Sequence, residues 1–205
     1  MKQILTILLL GLVTFSYGQF GIGLTASNDL YQYIQNPDDE TGESTSAGSA
    51  LLNVGVGPKI WVGGNDFSLS LEAQANLGLL GLSAKDYKGL GIVSFPIMAK
   101  MNFKGLSALD KEGRFGWSLG AGIQYSKTEL FYLKDSFEEK GGSRAFEKTF
   151  VGQVGYGFGI SGFSAHVFTR YGYNPDYDAH VFHLGIQYDF NFPKLAKISS
   201  PESEL

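Results

Sequence analysis

Seven ionisable side chains fall on the polar phase of alternating segments: Lys59, Glu72, Lys100, His166, Arg170, His183 and Asp189. The other phase of each segment is apolar. A strand built from such a segment turns its charged group away from the oily face. Acids, bases and imidazoles gathered on one side of a sheet could relay protons, gate a channel or hold a small solute. They could equally pair with one another across a narrow interior as a structural plug. The plug is the simpler expectation, because a lone buried charge is costly and opposite charges must pair whatever the function.

Other constellations are weaker. His180 and His183 invite a metal, but their odd spacing puts them on opposite faces of a regular strand. No carboxylate-rich partner set accompanies them, so no metal site is assigned. Ser164, His166 and Glu72 supply the residue types of a hydrolytic triad. By strand position, however, His166 points inward with Ser164 below it. Gly155, Gly157 and Gly159 echo a phosphate loop, yet no helix follows to complete the cradle. They read better as small residues that leave room inside a tube. Cysteine is absent, which removes thiol catalysis and cysteine metal sites. No cofactor motif is present. The formal net charge of −4 and the lack of basic runs with interleaved aromatics exclude a nucleic-acid binder.

The elements that position these groups are strands. In Phe67 to Gly78, FSLSLEAQANLG, odd positions are apolar and even positions polar or glycine. Similar alternation recurs over Phe20–Thr25, Ala50–Val62, Ile92–Phe103, Phe115–Ser126, Phe150–Ile160, Phe163–Tyr173 and His180–Phe192. Gly63-Gly64-Asn65-Asp66 and Ser161-Gly162 read as tight turns. Ser27–Gly48, Leu82–Gly89, Glu129–Arg144 and the stretch from Asn174 read as loops. The acidic run Asp38–Glu43 reads as a solvated part of one of them. Lys104–Arg114 is a connector longer than a tight turn. Pro58 and Pro96 lie inside strands, where bulges are expected to accommodate them.

Alternation alone does not say which face is wet. Three features do. Several segments keep strict alternation for longer than the ~5–6 residues of a typical globular strand, matching the ~9–11 of a membrane-spanning one. The polar phase is Gly, Ser, Asn and Gln, which suits a cramped interior better than a solvated surface. The aromatics collect at strand ends. Phe67, Phe103, Phe115, Trp117, Phe163, Phe190 and Phe192 lie toward the tight turns, and Tyr125, Tyr171 and Tyr173 toward the long loops. Two belts of this kind mark two membrane interfaces. The oily face is therefore expected to meet lipid, and the fold to be an all-β, eight-stranded antiparallel up-and-down transmembrane β-barrel.

Residues 1–18 read as a cleaved signal peptide: Lys2, an apolar run from Ile4 to Val13, then Ser16-Tyr17-Gly18. Residues 19–192 form the barrel, and 193–205 a polar periplasmic tail. Three stretches carry a family resemblance: Ser94-Phe95-Pro96-Ile97-Met98-Ala99-Lys100-Met101-Asn102-Phe103, Gly116-Trp117-Ser118-Leu119-Gly120-Ala121-Gly122, and Leu184-Gly185-Ile186-Gln187-Tyr188-Asp189-Phe190. With these the chain resembles small outer-membrane β-barrels of the porin-family or PorT-like kind, similar to the OmpA/OmpX type. Such barrels often end at the final aromatic residue. Here residues follow Phe192, so that signal is internal. The resemblance implies a Gram-negative outer membrane, with lipid and lipopolysaccharide as surroundings. It also implies a non-enzymatic structural or interaction role, through the loops or the tail. An accessory subunit of a secretion or barrel-assembly complex is the first alternative. A lipid A-modifying barrel enzyme is the second.

Overall fold

A computed structural model describes residues 19–36, 44–49, 53–83, 89–110, 112–132 and 145–192. They form ten strand segments: β1 (Gln19–Asn36), β2 (Ser44–Ser49), β3 (Asn53–Gly63), β4 (Phe67–Ala73), β5 (Ala75–Ser83), β6 (Gly89–Lys104), β7 (Arg114–Tyr132), β8 (Glu147–Ile160), β9 (Phe163–Asn174) and β10 (Ala179–Phe192). β2 and β3 lie one after the other along β1, and β4 and β5 along β6. Ten segments thus make eight spans. Each pairs antiparallel with its neighbours in sequence, and β10 closes onto β1 from Ile22↔Phe192 to Ile34↔Val181. The chain is an eight-stranded antiparallel up-and-down barrel. Closure leaves no free edge, so backbone N–H and C=O groups are paired around the ring.

The polarity is inverted relative to a soluble protein. In β9, Ser164, His166, Phe168 and Arg170 are buried, while Val167 and Tyr171 are half exposed. In β10, His183, Gln187 and Asp189 are buried, and Phe190 and Phe192 are exposed. The interior is polar and the exterior apolar, as in a transmembrane barrel.

Several sequence-based expectations need correction. Ser27–Gly48 is not one loop. β1 continues to Asn36 and β2 begins at Ser44, so polar residues build a wall. Periodicity missed this because Leu30 is an extra residue. Asp29 faces Gly185 while Tyr31 faces Leu184, and the bulge resets the alternation. β5 reaches Ser83 and β7 reaches Tyr132, further than the apolar pattern indicated.

The expected proline bulges are absent. Pro58 faces Leu24 and Pro96 faces Gln124 in uninterrupted register. The chain is instead broken between β4 and β5 at Gln74, whose N–H donates to the Pro96 carbonyl (3.0 Å). A proline brings no N–H to the ladder, and here the missing rungs are absorbed by the facing strand. Gly57, beside Pro58, is pressed against this break. A Cβ there would run into the Ala73 carbonyl oxygen.

The connector after β6 folds inward. Leu106, Ala108 and Asp110 are almost fully buried. Ser107 Oγ donates to the Gly64 carbonyl (2.6 Å), and the Ala108 N–H to Ser68 Oγ (3.0 Å). The Ser161 N–H donates to the Asp110 carbonyl (2.6 Å). The connector therefore ties the β3–β4 turn to the β8–β9 turn beneath the barrel mouth. Outside it, Arg114 pairs with Asp110 (2.7 Å) and Asp66 (2.9 Å). The expected signal peptide, 1–18, and the expected tail, 193–205, lie outside the described residues.

Candidate functional site

A hydrogen-bonded network of buried side chains runs along the lumen. At its tight-turn end Lys59, from β3, pairs with Asp189 of β10 (2.9 Å) and Glu72 of β4 (3.4 Å). Glu72 also pairs with Lys100 of β6 (2.6 Å). Gln187 lies between them. Its Nε2 donates to Glu72 (3.0 Å) and Asp189 (2.8 Å), and its Oε1 accepts from Lys100 (2.8 Å) and Gln153 (3.3 Å). Arg170 donates through Nε to Gln153 (2.9 Å) and through a terminal nitrogen to Gln124 (3.2 Å). Gln124 meets His183 Nε2 (3.1 Å), and His183 Nδ1 meets Asp29 (2.9 Å). The path from Asp29 to Lys59 is unbroken and draws on β1, β3, β4, β6, β7, β8, β9 and β10.

Apolar clusters flank this network. Ile34, Ile92, Met98, Val151 and Val181 pack together on the long-loop side. Trp61, Ala108 and Leu109 pack at the tight-turn side, with the Trp61 indole N–H donating to the Ile22 carbonyl (3.1 Å). Within the network Asp29, Glu72 and Asp189 stand against Lys59, Lys100 and Arg170, each nearly inaccessible. Acids and bases balance, which is the condition for burying them at all.

Of the seven candidates, Lys59, Glu72, Lys100, Arg170, His183 and Asp189 are brought together. His166 is not. It is buried, but neither ring nitrogen has a hydrogen-bond partner, and the same is true of Ser164 Oγ. The Ser164–His166–Glu72 triad is therefore not assembled. His180 lies on the outside, where its Nδ1 meets the Tyr171 hydroxyl (2.7 Å), while His183 points into the lumen. Among the described residues no group of three or more metal-ligating side chains is assembled.

Several members escaped the sequence. Gln124, Gln153 and Gln187 lie on the inward phase and could have been found by strand parity. Asp29 could not, because the Leu30 bulge and the lack of apolar alternation hid its strand.

Outside, the aromatics of the tight-turn end form contacts from strand to strand. Phe67 meets Phe103 (5.1 Å), Phe103 stacks on Trp117 (4.0 Å), and Phe163 meets Phe190 (5.3 Å). Phe115 packs against Tyr156 (5.7 Å), and Phe192 is exposed. At the other end Tyr171 and Tyr173 flank His180, and Tyr125 is exposed.

No protein-family model matches the chain, and no curated protein matches it. Solved structures with a similar fold include Neisserial surface protein A, at 14% identity and a TM-score of 0.45, covering 84% of this chain and 97% of that one. The N-terminal β-barrel domain of Pseudomonas aeruginosa OprF matches at 14% identity and 0.43, covering 84% and 99%. Ail, the attachment invasion locus protein of Yersinia pestis, matches at 14% and 0.41, again covering 84% and 99%. The likeness is one of fold.

Proposed function

We propose that this chain is an integral outer-membrane protein of a Gram-negative envelope, a sealed, non-enzymatic barrel whose role is structural or interactive. The observation that carries the reading is the filled lumen inside an apolar exterior. Lys59, Glu72, Lys100, Gln187 and Asp189 are bonded across the middle, with Trp61 and Val181 in the clusters that flank them, which supports a lumen plugged by side chains. Activity then belongs to the surfaces: the outer wall against lipid and lipopolysaccharide, and the loops toward other envelope proteins. An N-terminal leader, removed on export, fits the apolar run at residues 4–13.

Two measurements test this. Membranes of cells producing the protein should retain it through a urea wash and release it in detergent. The purified protein in a planar bilayer should give no steps of nanosiemens size. Recovery as a detergent-free soluble monomer would defeat the membrane assignment. Stable nanosiemens openings would defeat the sealed lumen.

A further inference from the structure

The outward face of the strands is uncharged over most of its height. In the half of the barrel away from the tight turns, the described strand side chains include two outward-facing ammonium groups and no outward carboxylate. These are Lys127 of β7 and Lys148 of β8. They sit on neighbouring strands. Tyr125 faces Lys148 across the β7–β8 ladder, and Lys127 is the next outward position beyond Tyr125.

An aromatic bed surrounds them. Phe95 and Phe146 meet at 5.8 Å from opposite sides of β7, and Lys148 Nζ lies 5.1 Å from the centre of the Phe150 ring. Tyr125, Phe150 and Tyr173 belong to the outer aromatic belt, the depth at which membrane headgroups begin. Lysine stems lie over apolar surface while their ammonium groups reach water, so both charges extend into the headgroup layer. Two neighbouring cations repel each other, and an anion between them removes the repulsion. The anion abundant at that depth is a phosphate ester on a lipid.

We propose that Lys127 and Lys148 form a docking site for a phosphate on the headgroup of an outer-leaflet lipid, with Phe95, Phe146 and Phe150 against the apolar part of the same molecule. The site rests on the outer-membrane reading above and names the lipid chemistry that its wall selects. It needs no rearrangement of the lumen.

The test compares lipid retention by native mass spectrometry of the detergent-solubilised protein. The probes are diphosphorylated lipid A and the same lipid with its phosphates removed. The wild type should retain the phosphorylated form preferentially. Lys127→Gln/Lys148→Gln together should weaken that retention roughly tenfold, each lysine supplying a part. Lys104→Gln, at the opposite end, should leave it unchanged. Both variants should keep the heat-dependent gel mobility of a folded barrel, which separates a binding defect from misfolding. Equal retention of the two lipids, or wild-type retention by the double variant, would overturn the site. So would tight binding of inorganic phosphate alone, which would show a free-anion site. A protein that is soluble without detergent would defeat the outer-membrane reading before any lipid is added, so the two failures are distinguishable.

Discussion

Glu72 faces two ammonium groups at once, Lys100 at 2.6 Å and Lys59 at 3.4 Å, and accepts a further hydrogen bond from Ser70 Oγ at 3.1 Å. Removing it leaves two cations sharing only Asp189 and Gln187 in a closed interior. Loss of one partner from a buried ion pair destabilises by about 3–5 kcal/mol, while replacing both by apolar groups is often near neutral. Glu72→Ala should therefore unfold at clearly lower urea in lipid vesicles, read by gel mobility or tryptophan fluorescence. Glu72→Leu combined with Lys100→Met should recover much of the loss. Wild-type urea resistance in the single variant would show that these pairs do not hold the barrel. The pairing itself was legible at this scale, because period-two alternation assigns Lys59, Glu72, Lys100 and Asp189 to one side of the sheet. The isolation of His166 was not legible, since parity gives a direction but not a partner.

At the scale of elements, the bulge at Leu30 and the break at Gln74 are the two departures from regular strands that matter most. Leu30 is a surplus residue opposite Leu184 and Gly185. Deleting it leaves Asp29 and Gln32 inward and Tyr31 outward, so the deletion variant should still fold into a heat-modifiable barrel. Deleting Leu71 from the regular β4 should not, because a one-residue slip sends Glu72 toward lipid and Leu69 or Ala73 out of phase. Equal folding yields for the two deletions would refute the assignment of the bulge. The strands rich in Leu, Ile, Val and Phe announced themselves in the sequence. The upper part of β1 did not, because its wall stands above the apolar band and its residues need not alternate. The prolines misled for a related reason. A proline removes a donor, but the sequence does not reveal which neighbour absorbs the missing bond.

For the whole molecule, the ends differ. At one end the connector carrying Ser107, Ala108 and Asp110 is laced to Gly64, Ser68 and Ser161. At the other, Pro175–Asp178 is an exposed turn between β9 and β10. The eight-span count and the closure could be read from spacing alone. The inward fold of the connector could not, since Lys104–Arg114 carries few apolar residues and no period. Its lacing makes a claim about where the chain can be cut. Ile22 and Phe192 are Cα partners, so a short linker can join the natural ends of the barrel. A circular permutant with new ends at Asp176–Tyr177 should refold in detergent, as exposed loop tips permit. One opened at Ser107–Ala108 would start and finish its chain inside its own keystone, and should be recovered only as aggregate.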